Sequence, residues 1–126
     1  MSFRKWLESA ILELKRAHER FERKDYAYVC FHAEQAVQFA LKALLKYYGN
    51  FLKTHDIVKL LERCRVHGFN INVNIEDLRE LTIHYLASRY PNARLRYSIK
   101  YNERIAIKAI KLAEKVVESV RNCLSI

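Results

Sequence analysis

The chain has 126 residues, of which 51% are hydrophobic, while only two are glycine and one is proline. A chain of this length forms one domain with a real core, and so few turn-forming residues exclude a β-sandwich or a β-barrel. Lysine and arginine number 23 against 14 aspartates and glutamates, a net charge of +9. Such an excess of positive charge favours binding to a polyanion, an acidic partner or an anionic membrane. The alternative is a generic charged surface.

The cysteines and the N-terminus predict the compartment. Cys30, Cys64 and Cys123 are far apart and form no CxxC pair, so we expect a reducing cytoplasm and neither a disulfide framework nor a metal site. The N-terminus lacks the apolar core of a signal peptide, and no apolar run of about 18 residues predicts a membrane span. We therefore expect a cytoplasmic protein without cofactor or metal.

The first half of the chain has the period of two long helices. Apolar residues recur every three or four positions from Phe3 to Phe21, which predicts an amphipathic first helix capped by Ser2. After a turn, a wider apolar pattern over residues 25–48 predicts a second helix that contacts several neighbours and is central. Gly49 follows where a C-terminal cap belongs.

The second half predicts one short helix and two longer ones. Thr54 is expected to cap the short third helix, which ends at Gly68, and Asn74 is expected to cap the fourth. Residues 88–101 contain the proline and no helical period, so we expect a functional or mobile loop there. Asn102 then caps the last helix.

These elements predict an all-α fold. We expect a single domain over residues 1–126, formed as an up-and-down antiparallel helical bundle with four longer helices and one short helix.

Arg79 and His84 on the predicted fourth helix form a pair suited to RNA cleavage. The histidine can take a proton from a 2′-hydroxyl or give one to the leaving oxygen, and the arginine can hold the phosphate without a metal. Five positions at about 100° each separate the two side chains by about 140° on a straight helix. They would therefore converge across the two-fold axis of a homodimer, or at a kink in the helix.

The alternative for this pair is purely structural. Glu80 and Asp77 lie four and seven positions before His84, on nearly the same face of the helix. His84 would then be an exposed residue that pairs with these acids.

Cations and aromatic side chains alternate in the predicted loop after the fourth helix. Aromatic rings can stack on unpaired bases while arginines hold phosphates, so we expect RNA or nucleotide binding there. The alternative is a solvated face with tyrosines packed inward. The basic run continues on one face of the last helix at Arg104, Lys108 and Lys111. The candidate binding residues in the loop are Arg89, Tyr90, Arg94 and Arg96.

Two stretches resemble the HEPN domain family. Residues 32–45 resemble the signature of the family's second helix, and residues 88–91, Ser-Arg-Tyr-Pro, resemble its "sRYP" stretch. The resemblance covers essentially the whole chain. It implies an up-and-down helical bundle that dimerises, and many family members are metal-independent ribonucleases of toxin–antitoxin or antiviral systems.

The resemblance also implies a site and a partner. The family's catalytic motif is an arginine, four to six residues and a histidine, completed across the dimer, and Arg79 and His84 match that spacing. Here Glu80 follows the arginine, where catalytic members have asparagine or aspartate, and Leu86 stands where a tyrosine is common. Family members are often encoded beside a minimal nucleotidyltransferase that acts as antitoxin.

Three interpretations therefore stand. The first is a homodimeric HEPN-type ribonuclease with His84 as acid and base and Arg79 as phosphate clamp. The second is a non-catalytic module that binds a nucleotide or partners a nucleotidyltransferase through its basic loop. The third is a plain dimeric scaffold.

Overall fold

The structure, a computed structural model, describes residues 1–125 as six α-helices, and this range contains no strand. The all-α, up-and-down bundle predicted from the sequence is confirmed. None of the six helices carries an apolar run long enough to cross a bilayer. The helices are α1 (Phe3–Glu22), α2 (Tyr26–Tyr47), α3 (Ile57–Val66), α4 (Ile75–Ala87), α5 (Pro91–Arg96) and α6 (Glu103–Leu124).

Side-chain caps begin three of the long helices as the sequence predicts. Ser2 accepts a hydrogen bond from a backbone N–H at the start of α1, Asn74 does so for α4 and Asn102 does so for α6. Each bond satisfies one of the amide groups that the first helical turn leaves unpaired. Gly49, at φ +74°, takes the left-handed conformation that follows the end of α2.

The cap predicted for α3 is wrong by two residues. Asp56, not Thr54, is the N-cap, because its Oδ1 accepts hydrogen bonds from the backbone N–H groups of Val58 and Lys59. Thr54 instead accepts from the backbone N–H of Asp56 at 3.1 Å. The threonine therefore forms the turn that leads into the cap.

The loop predicted over residues 88–101 is also partly wrong, because it contains α5. Pro91 occupies the first turn of this helix, where its fixed φ is favourable and its missing N–H is not needed. Tyr90 before it is extended, at φ −115° and ψ 117°, as expected for a residue that precedes proline. The bundle thus has six helices rather than five.

α2 is the central helix, as its wide apolar surface predicts. It packs most extensively against α1 and α6 and also contacts α3 and α4. Alanines at positions 33, 36, 40 and 43 are fully buried, which lets neighbouring helices approach closely. Leu41, Leu44 and Leu45 fill the space between them.

A buried polar row runs along one face of α2. Gln38 donates to Glu34 at 3.1 Å, and Lys42 donates to Gln38 at 2.9 Å. The Lys42 ammonium lies 5.5 Å from the centre of the Trp6 ring. Burial raises the pKa of Glu34 to about 7, despite the hydrogen bonds and nearby cations that favour its charged form. The row therefore joins a carboxyl that titrates near neutrality to a lysine within the core.

Candidate functional site

His84 lies in the interior of the bundle. Its side chain is buried on α4, and its Nδ1 forms a hydrogen bond of 2.7 Å with the hydroxyl of Tyr101, just before α6. Burial lowers the pKa of His84 to about 4, against a smaller opposing effect of Glu80. The imidazole is therefore neutral near pH 7. Its predicted alternative, an exposed histidine paired with acids, is wrong.

The acids that could have paired with His84 are paired with α6 instead. The Lys108 ammonium lies 3.2 Å from Asp77 and 2.9 Å from Glu80. Because this lysine reaches both carboxylates from the neighbouring helix, it ties α4 to α6 across the surface. The pKa of Lys108 is raised by these hydrogen bonds.

Arg79 lies on the solvent side of α4 and does not meet His84 in the single chain. Its guanidinium is exposed and pairs with Glu76 one turn earlier on the same helix. The helical geometry predicted this separation. A site that uses both side chains therefore needs a second copy of the chain.

A cavity of about 300 Å³ lies between α4 and α6, and His84 is one of its lining residues. Its rim is charged, with Asp77 and Glu80 on one side and Lys108, Lys111 and Lys115 on the other. The apolar part of the wall includes Leu81, Ile105 and Leu112. The cavity thus lies beside the buried His84, whereas Arg79 does not line it.

The basic residues predicted to bind RNA divide into two groups. Arg89 donates to the carbonyl of Tyr85 at 3.1 and 2.7 Å, and Arg94 donates to the carbonyls of Ala87 at 3.1 Å and Ser88 at 2.8 Å. These carbonyls end α4 and lack intrahelical partners, so both arginines serve partly as caps. Arg96 forms no such bond within residues 1–125 and is exposed.

Aromatic rings surround the Arg89 guanidinium. Its central carbon lies 4.7 Å from the ring of Phe31, 4.8 Å from that of Tyr85 and 5.1 Å from that of Tyr90. Tyr90 is half exposed, and Arg96 lies against the exposed Tyr97. We use the name basic aromatic corner for Phe31, Arg89 and Tyr90 together with Arg96 and Tyr97 at the other end of the short helix α5. Arg89 organises this corner, whereas Tyr90 and Arg96 face solvent.

The sequence analysis missed a second polar cluster, where α1 and α2 pack side by side. Glu13 on α1 is buried, and its Oε2 lies 2.6 Å from Nδ1 of His32 on α2. The signal was present in the apolar period of α1, because Glu13 lies between Ala10 and Ala17 on the core face. A carboxylate at a core position indicates a specific buried partner.

Within residues 1–125, no three histidine, cysteine, aspartate or glutamate side chains are grouped so that they could hold an ion.

Comparison with known proteins gives one family match and several similar structures. The sequence matches the family model of the HEPN domain over residues 3–123. The structure of TT1696 from Thermus thermophilus is 31% identical, with a TM-score of 0.84, over 95% of this chain and 96% of that one. No protein of curated function matches the sequence.

Two more distant structures share the fold. ST0689, an archaeal HEPN homologue, is 24% identical with a TM-score of 0.73, and the match covers 97% of both chains. A HEPN domain protein from Thermotoga maritima, tm0613, is 21% identical with a TM-score of 0.71, over 96% of this chain and 98% of that one.

Proposed function

This chain belongs to the HEPN family of nucleotide-binding and ribonuclease-type modules, and from that premise we propose that it binds single-stranded RNA or a nucleotide at the basic aromatic corner. The observation that carries the proposal is the position of the Arg89 guanidinium among three aromatic rings, one of which belongs to the half-exposed Tyr90. Arg96 is exposed at the end of the helix that follows Tyr90. An unpaired base can stack on an exposed ring, while a neighbouring guanidinium holds a phosphate.

The charge around the corner supports a polyanionic ligand. Lys100 and Arg104 are exposed and follow Arg96 along the chain. The ion pairs of residues 1–125 involve neither these two side chains nor Arg89 and Arg96. Arg96, Lys100 and Arg104 are therefore not paired with carboxylates of residues 1–125, and phosphates would meet little competition there.

Binding should weaken when Tyr90 or Arg96 is truncated. For a single-stranded RNA of about 10 nucleotides, we expect Tyr90→Ala to cost about 1–3 kcal/mol through lost base stacking. Arg96→Ala should lower the slope of log affinity against log salt by about 0.7, the value for one phosphate contact. Fluorescence anisotropy over a salt series measures both effects.

Two controls match these changes on a remote surface. Tyr47, the last residue of α2, has the same 51% exposure as Tyr90. Arg4 is exposed in the first turn of α1. Tyr47→Ala and Arg4→Ala should bind RNA as the parent does. Binding that ignores salt, or equal losses in the controls, would contradict the proposal.

A second candidate function is metal-independent RNA cleavage by a homodimer. It is favoured by the cavity that His84 lines and by the exposure of Arg79, whose side chain a second copy could approach. His84 would act as acid and base, and the Arg79 guanidinium of the other subunit would hold the phosphate. Because the buried imidazole is neutral near pH 7, His84 would act first as the base that accepts a proton.

Cleavage should depend on both side chains and survive EDTA. We expect Arg79→Ala to lower the rate about 100-fold, by analogy with the loss of one charge-stabilising donor. Arg79 is exposed, so this change spares the fold. His84→Ala should be equally damaging, and circular dichroism would verify that the variant is folded.

Mixing the two inactive variants provides the sharper test. A mixed dimer would hold one intact site, with the histidine from one subunit and the arginine from the other, so a random mixture should recover about a quarter of the parent rate. A parent that is dimeric yet leaves varied RNAs intact would exclude this function. Cleavage without recovery on mixing would exclude the shared site.

The proposal also includes a biological setting and a partner protein. A role in a toxin–antitoxin or defence system, with a minimal nucleotidyltransferase as partner, follows from the family resemblance alone. A nucleotidyltransferase gene beside this one would favour that setting, and binding of its purified product would test the partnership.

A further inference from the structure

An open cavity of about 340 Å³ lies where the end of α1 meets the start of α2. Three of its five lining residues are arginines, and a fourth is a histidine. We call this cavity the arginine pocket. Its lining residues are Arg16, Glu19, Arg20, Arg23 and His32.

A buried carboxylate holds the histidine of the arginine pocket in place. Glu13 bonds Nδ1 of His32 at 2.6 Å through one oxygen, and its other oxygen accepts from Arg16 at 2.8 Å. Burial raises the pKa of Glu13, but the bonds to His32 and Arg16 outweigh it, and the pKa is held below its ordinary value. The ionised Glu13 accepts a hydrogen bond from Nδ1–H of His32. In the imidazolium form of His32, both ring nitrogens are donors, so Nε2–H is left to donate to a ligand.

The arginines differ in how much of their hydrogen-bonding capacity is used. Arg20 donates to Asp25 at 3.1 Å, and its guanidinium lies 5.2 Å from the ring of Tyr28. The side chain of Arg23 forms no hydrogen bond or ion pair within residues 1–125. The pocket therefore has an unused guanidinium, and Arg16 and Arg20 keep further N–H groups beyond their single bonds.

The arginine pocket adjoins the basic aromatic corner. The rings of Phe31 and His32 lie 5.2 Å apart. The ring of Phe31 also lies 4.7 Å from the Arg89 guanidinium. A strand of nucleic acid bound at Tyr90 could thus extend over Phe31 to the arginines. A guanidinium group can donate two parallel hydrogen bonds to a phosphate, which suits the arginines to this second contact.

We propose that the arginine pocket binds a phosphate group, held by Arg23, Arg16 and the Nε2–H of the His32 imidazolium. This inference rests on the proposed function, because it assigns a second contact to the same RNA or nucleotide. Glu19 is the one carboxylate among the lining residues, and it opposes the anion. Removing its charge should therefore strengthen binding, an effect that a purely structural role of the arginines does not predict.

The first experiment follows RNA affinity in charge variants of α1. We expect Arg23→Ala to weaken binding about tenfold, the usual effect of one charged hydrogen bond. We expect Glu19→Gln to strengthen it about threefold. Arg4→Ala and Glu8→Gln make the same changes at the far end of α1 and should have no effect. If Arg23→Ala and Glu19→Gln both behave as these controls do, the RNA contact is overturned.

The second experiment uses inorganic phosphate and a nucleoside monophosphate as probes, without RNA. We expect either to shift the NMR signals of the His32 ring in the parent and not in Arg23→Ala. The signals of His67, which follows α3 and stacks on Tyr48 at the opposite end of α2, should stay unchanged. Absence of a His32 shift, or its persistence in Arg23→Ala, overturns the phosphate site. Failure of the parent to bind RNA, with the phosphate shift intact, removes the proposed function but keeps this site.

Discussion

Replacing Leu44 by alanine is expected to lower the free energy of unfolding by about 2–5 kcal/mol. Leu44 is completely buried in the last turn of α2, the helix that packs against α1, α3, α4 and α6. Truncation removes apolar contacts and leaves a cavity that the surrounding helices fill only in part. Urea denaturation followed by circular dichroism measures the change.

A leucine on the surface provides the matched control. Leu95 on α5 is 78% exposed, so Leu95→Ala should change the free energy of unfolding by no more than about 0.5 kcal/mol. Small domains have a total stability of only about 5–15 kcal/mol, so the loss at Leu44 is a large share of it. Similar losses in the two variants would show that α2 is not the centre of the core.

The pH dependence of stability should change strongly in Glu34→Gln. The pKa of Glu34 is about 7 in the folded protein, above the ordinary value of 4.5, so the folded state keeps a proton that the unfolded state releases. Its contribution is present below pH 4.5 and is lost as the pH rises through 7. The shift corresponds to about 3 kcal/mol. As the pH rises from 4.5 through 7, the free energy of unfolding of the parent should therefore fall by about 3 kcal/mol relative to that of Glu34→Gln.

The titration of His84 changes the stability in the opposite direction over much of the same pH range. Its pKa is about 4 when folded and 6.5 ordinarily, so its contribution is present above pH 6.5 and is lost as the pH falls towards 4. The two groups offset each other between about pH 4.5 and 6.5. We expect a nearly flat parent profile there and a positive slope in Glu34→Gln.

Unfolding measured over a pH series checks both statements. The exposed variant Glu8→Gln serves as the control and should follow the parent. Parallel profiles for the parent and Glu34→Gln would mean that Glu34 titrates normally in the folded protein.

Periodicity predicted the long helices because each one buries a single apolar stripe. The sequence did not predict α5, because six residues are too few to show a helical period. Pro91 occupies the first turn of this helix. The cap of α3 was misplaced because Thr54 and Asp56 both carry good capping oxygens, and only the backbone conformation selects between them.

The candidate site was harder to predict because its contacts join distant segments. The sequence brings Asp77 and Glu80 close to His84, but Lys108, on another helix, takes both carboxylates. His84 instead meets Tyr101, seventeen residues away. The Glu13–His32 pair likewise depends on the register between α1 and α2, which the period of either helix leaves open.

The short turn between α1 and α2 has a consequence for the order of assembly. Three residues separate these helices, so bringing them together costs little chain entropy, and we expect this hairpin to form early. α6 returns to α2 across more than fifty residues, so we expect it to dock after this hairpin has formed. Because α6 forms one wall of the cavity beside His84, that cavity is complete only after α6 has docked.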